Sequence, residues 1–364
     1  MPASFRLLVV LLLLSTPAFA EPRWLVTTIA GTGTSGFTGD NAPADRANLN
    51  NPFGVTRGPD GALYFCDTGN HAIRRIDGAG LITTIAGTGK PGHAGDGGPA
   101  RAARLNEPYE IRFDDAGHMY FVEMRNHLVR RVDVKTGIIS TIAGAPRAGF
   151  AGDDGPAVKA RLSQPHSIQF DAKGDLYVCD IGNHRIRKID VMSGTITTFA
   201  GTGKRQPTPD GAPFATAPLD GPRAIDFDRN GDMILALREG NAVYRLDMKE
   251  GTIHHLAGTG KPGFTGHGGL AKLAALSGPK GLAIGPDDNI YLADTESHSI
   301  RMIDAATGHL HLIAGTGQKG DGPDGAADRC RFARLHGIYV DTDNSIYVGD
   351  SENHRIRVIR RIEE

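Results

Sequence analysis

Apolar and polar residues alternate along LYVCDIGNHRIRKID, Leu176 to Asp190, break at Gly182-Asn183, and alternate again. Two antiparallel strands joined by a tight hairpin have this pattern. It recurs as LYFCDTGNHAIRRID from Leu63, MYFVEMRNHLVRRVD from Met119, MILALREGNAVYRLD from Met233, IYLADTESHSIRMID from Ile290 and IYVGDSENHRIRVIR from Ile346. A short apolar strand precedes the hairpin (HSIQFD from His166) and another follows it (TITTFAG from Thr195), giving four strands per unit. The units start at Pro52, Pro108, Pro165, Pro222, Pro279 and Leu335, in steps of 56, 57, 57, 57 and 56 residues. A regular period of this size, built from short strands, predicts propeller blades. Four short strands bury both faces of their sheet only when sheets pack radially.

The two ends of the pattern fit together. The fourth-strand phrase first appears as LVTTIAG from Leu25, ahead of any complete unit, while the last unit, His336 to Arg361, has only three strands. Leu25 to Gly31 should therefore complete the last blade and remove the edge that an open array would expose. The expected fold is all-β: a six-bladed β-propeller of four-stranded antiparallel blades, with repeats near 25–77, 81–134, 138–190, 195–247, 252–304 and 309–361. Connections of about twenty residues, such as GTGKPGHAGDGGPARAARLNE, open on Gly-rich turns and end in an Ala/Leu segment able to form one helical turn.

Residues 1–20 stand outside this pattern. Arg6, the apolar run Leu7 to Leu14 and the small residues Ala18-Phe19-Ala20 read as a cleavable signal peptide. The run is far shorter than the ~20 apolar residues of a spanning helix, so no stable membrane insertion is expected after cleavage. The mature chain, residues 21–364, is expected in the periplasm or secreted, as a monomer. Three cysteines give no disulfide framework: Cys66 and Cys179 hold the same place in different units, Cys330 lies alone, and no bridge is expected. A net charge of -1 gives no reason to expect a nucleic acid partner.

The phrase Asn-His-Arg-Ile-Arg at Asn183–Arg187 and Asn353–Arg357, with GDGGPA, resembles the NHL repeat family over essentially the whole mature chain. The resemblance implies a six-bladed propeller and leaves the chemistry open, since propellers of this type serve as interaction platforms in some proteins and as lyases in others.

Comparing blade with blade separates two kinds of position. Arg74, Arg130, Arg187, Arg245, Arg301 and Arg357 recur, as do Asp67, Asp180, Asp294 and Asp350, with Glu123 and Leu237 in the other two blades. These should hold each blade together. His71, His127, His184, His298 and His354 sit at five separate hairpin turns, too scattered for a metal set. The GDGG loops lack the spaced acidic ligands of a calcium loop and read as turns.

The second kind differs from blade to blade. Phe53, Tyr109, His166, Arg223, Lys280 and His336 follow the anchor positions and should ring one mouth of the channel, with Glu110 beside Tyr109. The ring is polar, partly cationic and partly aromatic, suited to an anionic or carbonyl-bearing ligand. Blade four departs most, with Leu237 for Asp and the loop KRQPTPDGAPFATAPLD for GDGG, so Arg238 joins Arg223 as a candidate there. The preferred reading is a binding scaffold without cofactor, for a protein, peptide or glycan. The alternative is a metal-dependent lyase or hydrolase holding a divalent ion such as zinc or calcium. PHSI (Pro165–Ile168) and LHGI (Leu335–Ile338) resemble segments by which the peptidyl-amidating lyase propeller presents histidines to zinc, which would make His166 and His336 ligands with Glu110 as a third. Lactonase-like propellers resembling senescence marker proteins use Glu, Asn and Asp at such places, and this ring offers none.

Overall fold

In the computed structural model, which describes residues 23–362, six sheets stand round a common axis. The proposed signal peptide lies outside the described residues. Blade three shows the plan: Pro165–Phe170, Leu176–Asp180, Arg185–Asp190 and Thr195–Ala200 pair in order, each antiparallel to the last. The first strands of neighbouring blades touch one another round the axis.

Closure follows the expectation from the sequence. Trp24–Ala30 pairs antiparallel with Arg355–Arg361, from Trp24 opposite Arg361 to Ala30 opposite Ile356. Val26, from the chain's start, shares a buried cluster with Ile346, Val348 and Ile359 from its end. Each long connection then folds back over the outer strand of the blade it enters. Ala42–Pro43 pairs with Leu81–Ala86, Gly155–Pro156 with Thr195–Ala200, and Gly325–Ala326 with Trp24–Ala30; single bridges do the same in the other three blades. A 3-10 turn follows in several, as at Ala44–Arg46 and Ala100–Ala102. The outer edges are covered rather than left open to pairing with another chain.

In five blades a polar network pins the connection to its hairpin. Arg74, Arg130, Arg187, Arg301 and Arg357 are at most 1% exposed, an unusual depth for arginine. Each meets a fully buried carboxylate: Asp67 at 3.1 Å, Glu123 at 2.6 Å, Asp180 at 3.5 Å, Asp294 at 3.0 Å and Asp350 at 2.9 Å. That carboxylate also accepts a loop backbone N–H, as from Asn50 to Asp67 at 2.7 Å, and the amide of Asn70, which donates onward to the Gly36 carbonyl. Burial still pushes Asp67, Asp180 and Asp350 up to about 6 and Glu123 up to about 7, against the pull of their arginines. The loop aspartates Asp40, Asp96, Asp153 and Asp321 reach the far side of four of these guanidinium groups. The Asp of the GDGG phrase is thus an arginine partner as well as a turn residue, which reading it as a turn alone missed.

Blade four breaks the network at three points together. Tyr244, not Arg245, holds the arginine place: it lies opposite Leu235 as Arg74 lies opposite Phe65. Arg245 is one residue further on, half-buried, and 3.5 Å from Asp228. Grouping Arg245 with the buried arginines is therefore wrong by one register position, and a one-residue slip along a strand puts a side chain on the opposite face. Leu237, Gly240 and Tyr244 replace carboxylate, amide and guanidinium. The Tyr244 hydroxyl donates to the Thr208 carbonyl at 3.0 Å, as Arg74 donates to that of Thr38 at 2.9 Å.

The turn histidines join blade to blade. His71, His127, His298 and His354 have φ between 52° and 58°, the left-handed region. Their Nδ1 atoms accept from the backbone N–H of Glu107, Gln164, Arg334 and Asn51, each in the next blade round. The Asn241 side-chain oxygen does the same for Gly278. The exception is His184, whose Nδ1 is buried without a partner because the Gly221 N–H bonds to Leu219 instead. Glycine ends each fourth strand beside these turns. At Gly87, with φ +92°, an added Cβ would stand 2.3 Å from the His71 carbonyl oxygen. The three cysteines are free and buried, each in an apolar core cluster.

Blade four supplies a template for a stability test. Arg74→Ala should cost about 3–5 kcal/mol, because Asp67 is left buried without its cation. The triple change Asp67→Leu, Asn70→Gly, Arg74→Tyr, which copies blade four into blade one, should cost less than the single change. Urea midpoints of the two variants check this order.

Candidate functional site

The strand register slips directly after each of the five anchor prolines, and the residue at the slip leaves the ladder. Those residues meet at the axis. Tyr109 stands edge-on to Phe53 with ring centres 4.3 Å apart, His336 stacks on Phe53 at 3.8 Å, and His166 meets Tyr109 at 4.5 Å. The Arg223 guanidinium lies over the Tyr109 ring, 4.7 Å from its centre. Side chains from five blades thus close the channel with an aromatic floor.

Above the floor opens a cavity of about 520 Å³. It is lined by the cations Arg125, Arg223, Arg238, Lys280 and Arg334 against only two carboxylates, Glu107 and Glu352. Most of these charges are matched. Lys280 Nζ is 2.6 Å from Glu296, Arg334 bridges Glu296 and Glu352, Arg125 is 3.1 Å from Glu107 and Arg238 3.3 Å from Glu239. Arg223 differs. It is 2% exposed and, unlike the buried arginines of the blades, makes no ion pair or side-chain hydrogen bond among the described residues.

Titration behaviour follows from this crowding. Burial, with Arg238 nearby, lowers the Arg223 pKa. Burial pushes Lys280 down to about 8 despite its bond to Glu296. Glu296 is held down at about 2 by bonds from Arg334 and Lys280 that outweigh its burial. His166 and His336 are pushed well below the ordinary range by burial and then by neighbouring cations, Arg223 for His166 and Lys280 for His336. Both imidazoles are neutral. His166 Nδ1 meets the Gln164 carbonyl at 2.6 Å and His336 Nδ1 meets the Arg334 carbonyl at 2.8 Å. A carbonyl only accepts, so Nδ1 carries the proton and Nε2 of each ring is left as an acceptor.

The expected ring is assembled from Phe53, Tyr109, His166, Arg223, Lys280 and His336, with Arg238 on the wall. Glu110 is a correction: it turns from the mouth and binds Arg112 at 2.5 Å. The donors do not fit a metal ion. Among the described residues no three His, Cys, Asp or Glu side chains converge, Glu110 as third ligand is taken by Arg112, and Lys280 and Arg223 set positive charge beside His336. Arg334, Arg125 and Glu352 were missed from the sequence. They occupy two further places that vary between blades: the residue before the anchor, and the second residue after the strand-end carboxylate.

Comparison with known proteins places the fold. The NHL repeat model matches residues 162–189, 276–301 and 332–359. NHL repeat-containing protein 2 of Homo sapiens is 25% identical over 325 residues, covering 82% of this chain and 44% of that protein. The chain therefore spans less than half the length of such curated relatives. Among solved structures, an auxiliary nutrient binding protein from Bacteroides thetaiotaomicron superposes with TM-score 0.69 at 18% identity, covering 94% of this chain and 78% of that one. A catalytically inactive virginiamycin B lyase from Staphylococcus aureus, solved with quinupristin, gives TM-score 0.54 at 18% identity, covering 87% and 84%. At such identities the likeness extends to the fold alone.

An unpaired cation this deep should lower the stability of the ligand-free protein. Arg223→Met is expected to raise the unfolding free energy by about 1–3 kcal/mol, since an unbranched apolar side chain avoids the desolvation cost. Thermal and urea unfolding without ligand measure this; a loss of stability would mean that Arg223 already has its partner within the chain.

Proposed function

The chain is built of NHL repeats closed into a six-bladed propeller, and we propose that it is exported and works as a binding scaffold for a carboxylate-bearing peptide, protein segment or glycan. One observation carries this reading: the Arg223 guanidinium, buried and unpaired at the base of a cavity with a cationic excess. A carboxylate accepts two parallel N–H bonds from one guanidinium and would restore the missing compensation. Of the two neutral imidazoles only His336 lines the cavity, where it adds an acceptor for a ligand N–H or O–H group. Phe53 and Tyr109 offer aromatic surface to a sugar ring or an apolar side chain. Cys66, Cys179 and Cys330, all buried, suit an oxidising compartment, where exposed thiols would be liabilities.

A metal-dependent lyase or hydrolase is the competing reading. The bond from each histidine Nδ1 to a backbone carbonyl favours it, because that arrangement orients a ligating imidazole. The missing third ligand opposes it. Elemental analysis of the purified protein separates the two: about one equivalent of a divalent metal supports the lyase, and less than about a tenth supports the scaffold.

Binding is tested by calorimetry with trigalacturonate and with a tripeptide bearing a free C-terminal carboxylate, the amidated tripeptide serving as control. At least one anionic probe should bind, and Arg223→Ala with Lys280→Ala should abolish it. Unchanged binding in the double variant would refute the site.

Affinity should also depend on pH with a defined sign. Lys280 is protonated below about 8, so anion affinity should hold near neutrality and fall as pH rises past that value. Lys280→Arg should remove the fall.

A further inference from the structure

A second cavity, of about 410 Å³, opens at blade four where the buried network is missing. In four of the other blades, Asn70, Asn126, Asn183 and Asn353 fill the corresponding space with an amide bonded to the strand-end carboxylate. Ser297 takes that role in the remaining one. Gly240 has no side chain to do so, and Leu237 and Tyr244 have removed the carboxylate and the guanidinium. The space so vacated lies against Asp210, Asp220 and Glu239, with His255 and Lys272 also in its lining.

We infer that this cavity is a site for a guanidinium or alkylammonium group from outside the chain, such as the side chain of an arginine or lysine in a partner peptide. Elsewhere the same corner of the blade holds a guanidinium, bonded to a loop carbonyl and a loop aspartate: Arg74 to Thr38 O and Asp40, at 2.9 and 3.1 Å. An aromatic ring lies against several of those groups, as Phe37 does 5.0 Å from Arg74. Blade four keeps the loop aspartate, Asp210, but has no internal guanidinium: the Tyr244 hydroxyl takes over the bond to the loop carbonyl of Thr208 and leaves Asp210 without the guanidinium that its counterparts hold.

Glu239 is the second observation. Its Oε1 meets Arg238 at 3.3 Å, while its Oε2 is buried without a partner. Gly221 makes the room, since a Cβ there would stand 1.5 Å from Oε2. A carboxylate oxygen out of water needs a donor, and none is bonded to it among the described residues, although Lys272 lines the same cavity. Asp220 is bound by Arg205, and His255 Nε2 lies between the carbonyl oxygens of Ala257 and Gly258 at 3.0 and 2.7 Å. The apolar lining of Leu237, Ala242 and Pro207 suits a methylene stem.

The probe is agmatine, which carries a guanidinium and an ammonium on one alkyl stem, with tetramethylammonium as a cation unable to donate. Titration followed by calorimetry and by chemical-shift change should show saturable binding of agmatine only. Glu239→Gln should weaken it by about tenfold or more. The triple change Leu237→Asp, Gly240→Asn, Tyr244→Arg rebuilds the network of the other blades and should abolish it. Arg223→Ala, in the mouth, should leave it intact, which keeps the outcome independent of the carboxylate site. The inference fails if agmatine gives no saturable signal, if tetramethylammonium binds equally well, or if Glu239→Gln binds agmatine as the wild type does.

Discussion

Everything at the open end of this molecule depends on a guanidinium buried beside a carboxylate. A four-stranded sheet dictates its own hairpins, but it cannot by itself hold in place a connection of about twenty residues. Arg74 and its counterparts do so by using several donors in different directions: inward to the strand-end carboxylate, outward to the loop aspartate and a loop carbonyl. Such a pair contributes little net stability once desolvation is counted, and the raised pKa values of Asp67 and Glu123 reflect that cost. What it provides is position. Loop, hairpin turn and next blade are fixed relative to one another, and the turn histidines carry that registration round the ring.

The mouth reverses this arrangement. In the blades each buried guanidinium has its carboxylate, whereas at the axis Arg223 has only the face of Tyr109. The fold can hold it there because Arg223 begins a first strand, locked by its ladder to Met233–Leu237, and because neighbouring blades supply the rings packed against it. Lys280 is nearly as deep but keeps Glu296 at 2.6 Å, so it is a poised cation rather than an orphaned one. One deeply buried charge without compensation, among so many that are compensated, marks where a ligand's charge belongs.

Much of this was legible in the sequence because it is periodic. Strand number, closure by the chain's beginning and the identity of the axial ring all follow from aligning the chain with itself, since every blade must solve the same packing problem. Legibility failed where a side chain answers to a neighbour that the period does not display. Arg245 looks like the blade arginine on a list, yet the hairpin register gives that place to Tyr244. Asp40 and Asp96 read as turn residues because their arginines lie more than thirty positions away in sequence. Glu110 looks like part of the ring but is drawn off by Arg112, two residues along on the same strand.

Blade four shows why departures from a repeat are more telling than the repeat. A single substitution in the network would leave a buried group without its partner, and such a change costs several kcal/mol, roughly 3–5 for a broken ion pair. Here carboxylate, amide and guanidinium are all absent together, so none of the three is left without the other two and the blade keeps its core: Leu237 and Tyr244 pack in the same cluster as Leu235 and Leu246. The carboxylate left wanting beside the altered corner is Glu239, which belongs to the turn rather than to the sheet. Its neighbour Arg238 lines the central cavity while Glu239 lines the lateral one. Two adjacent residues of opposite charge thus face two separate openings on the loop-bearing side, and a ligand with charges of both signs could engage both openings.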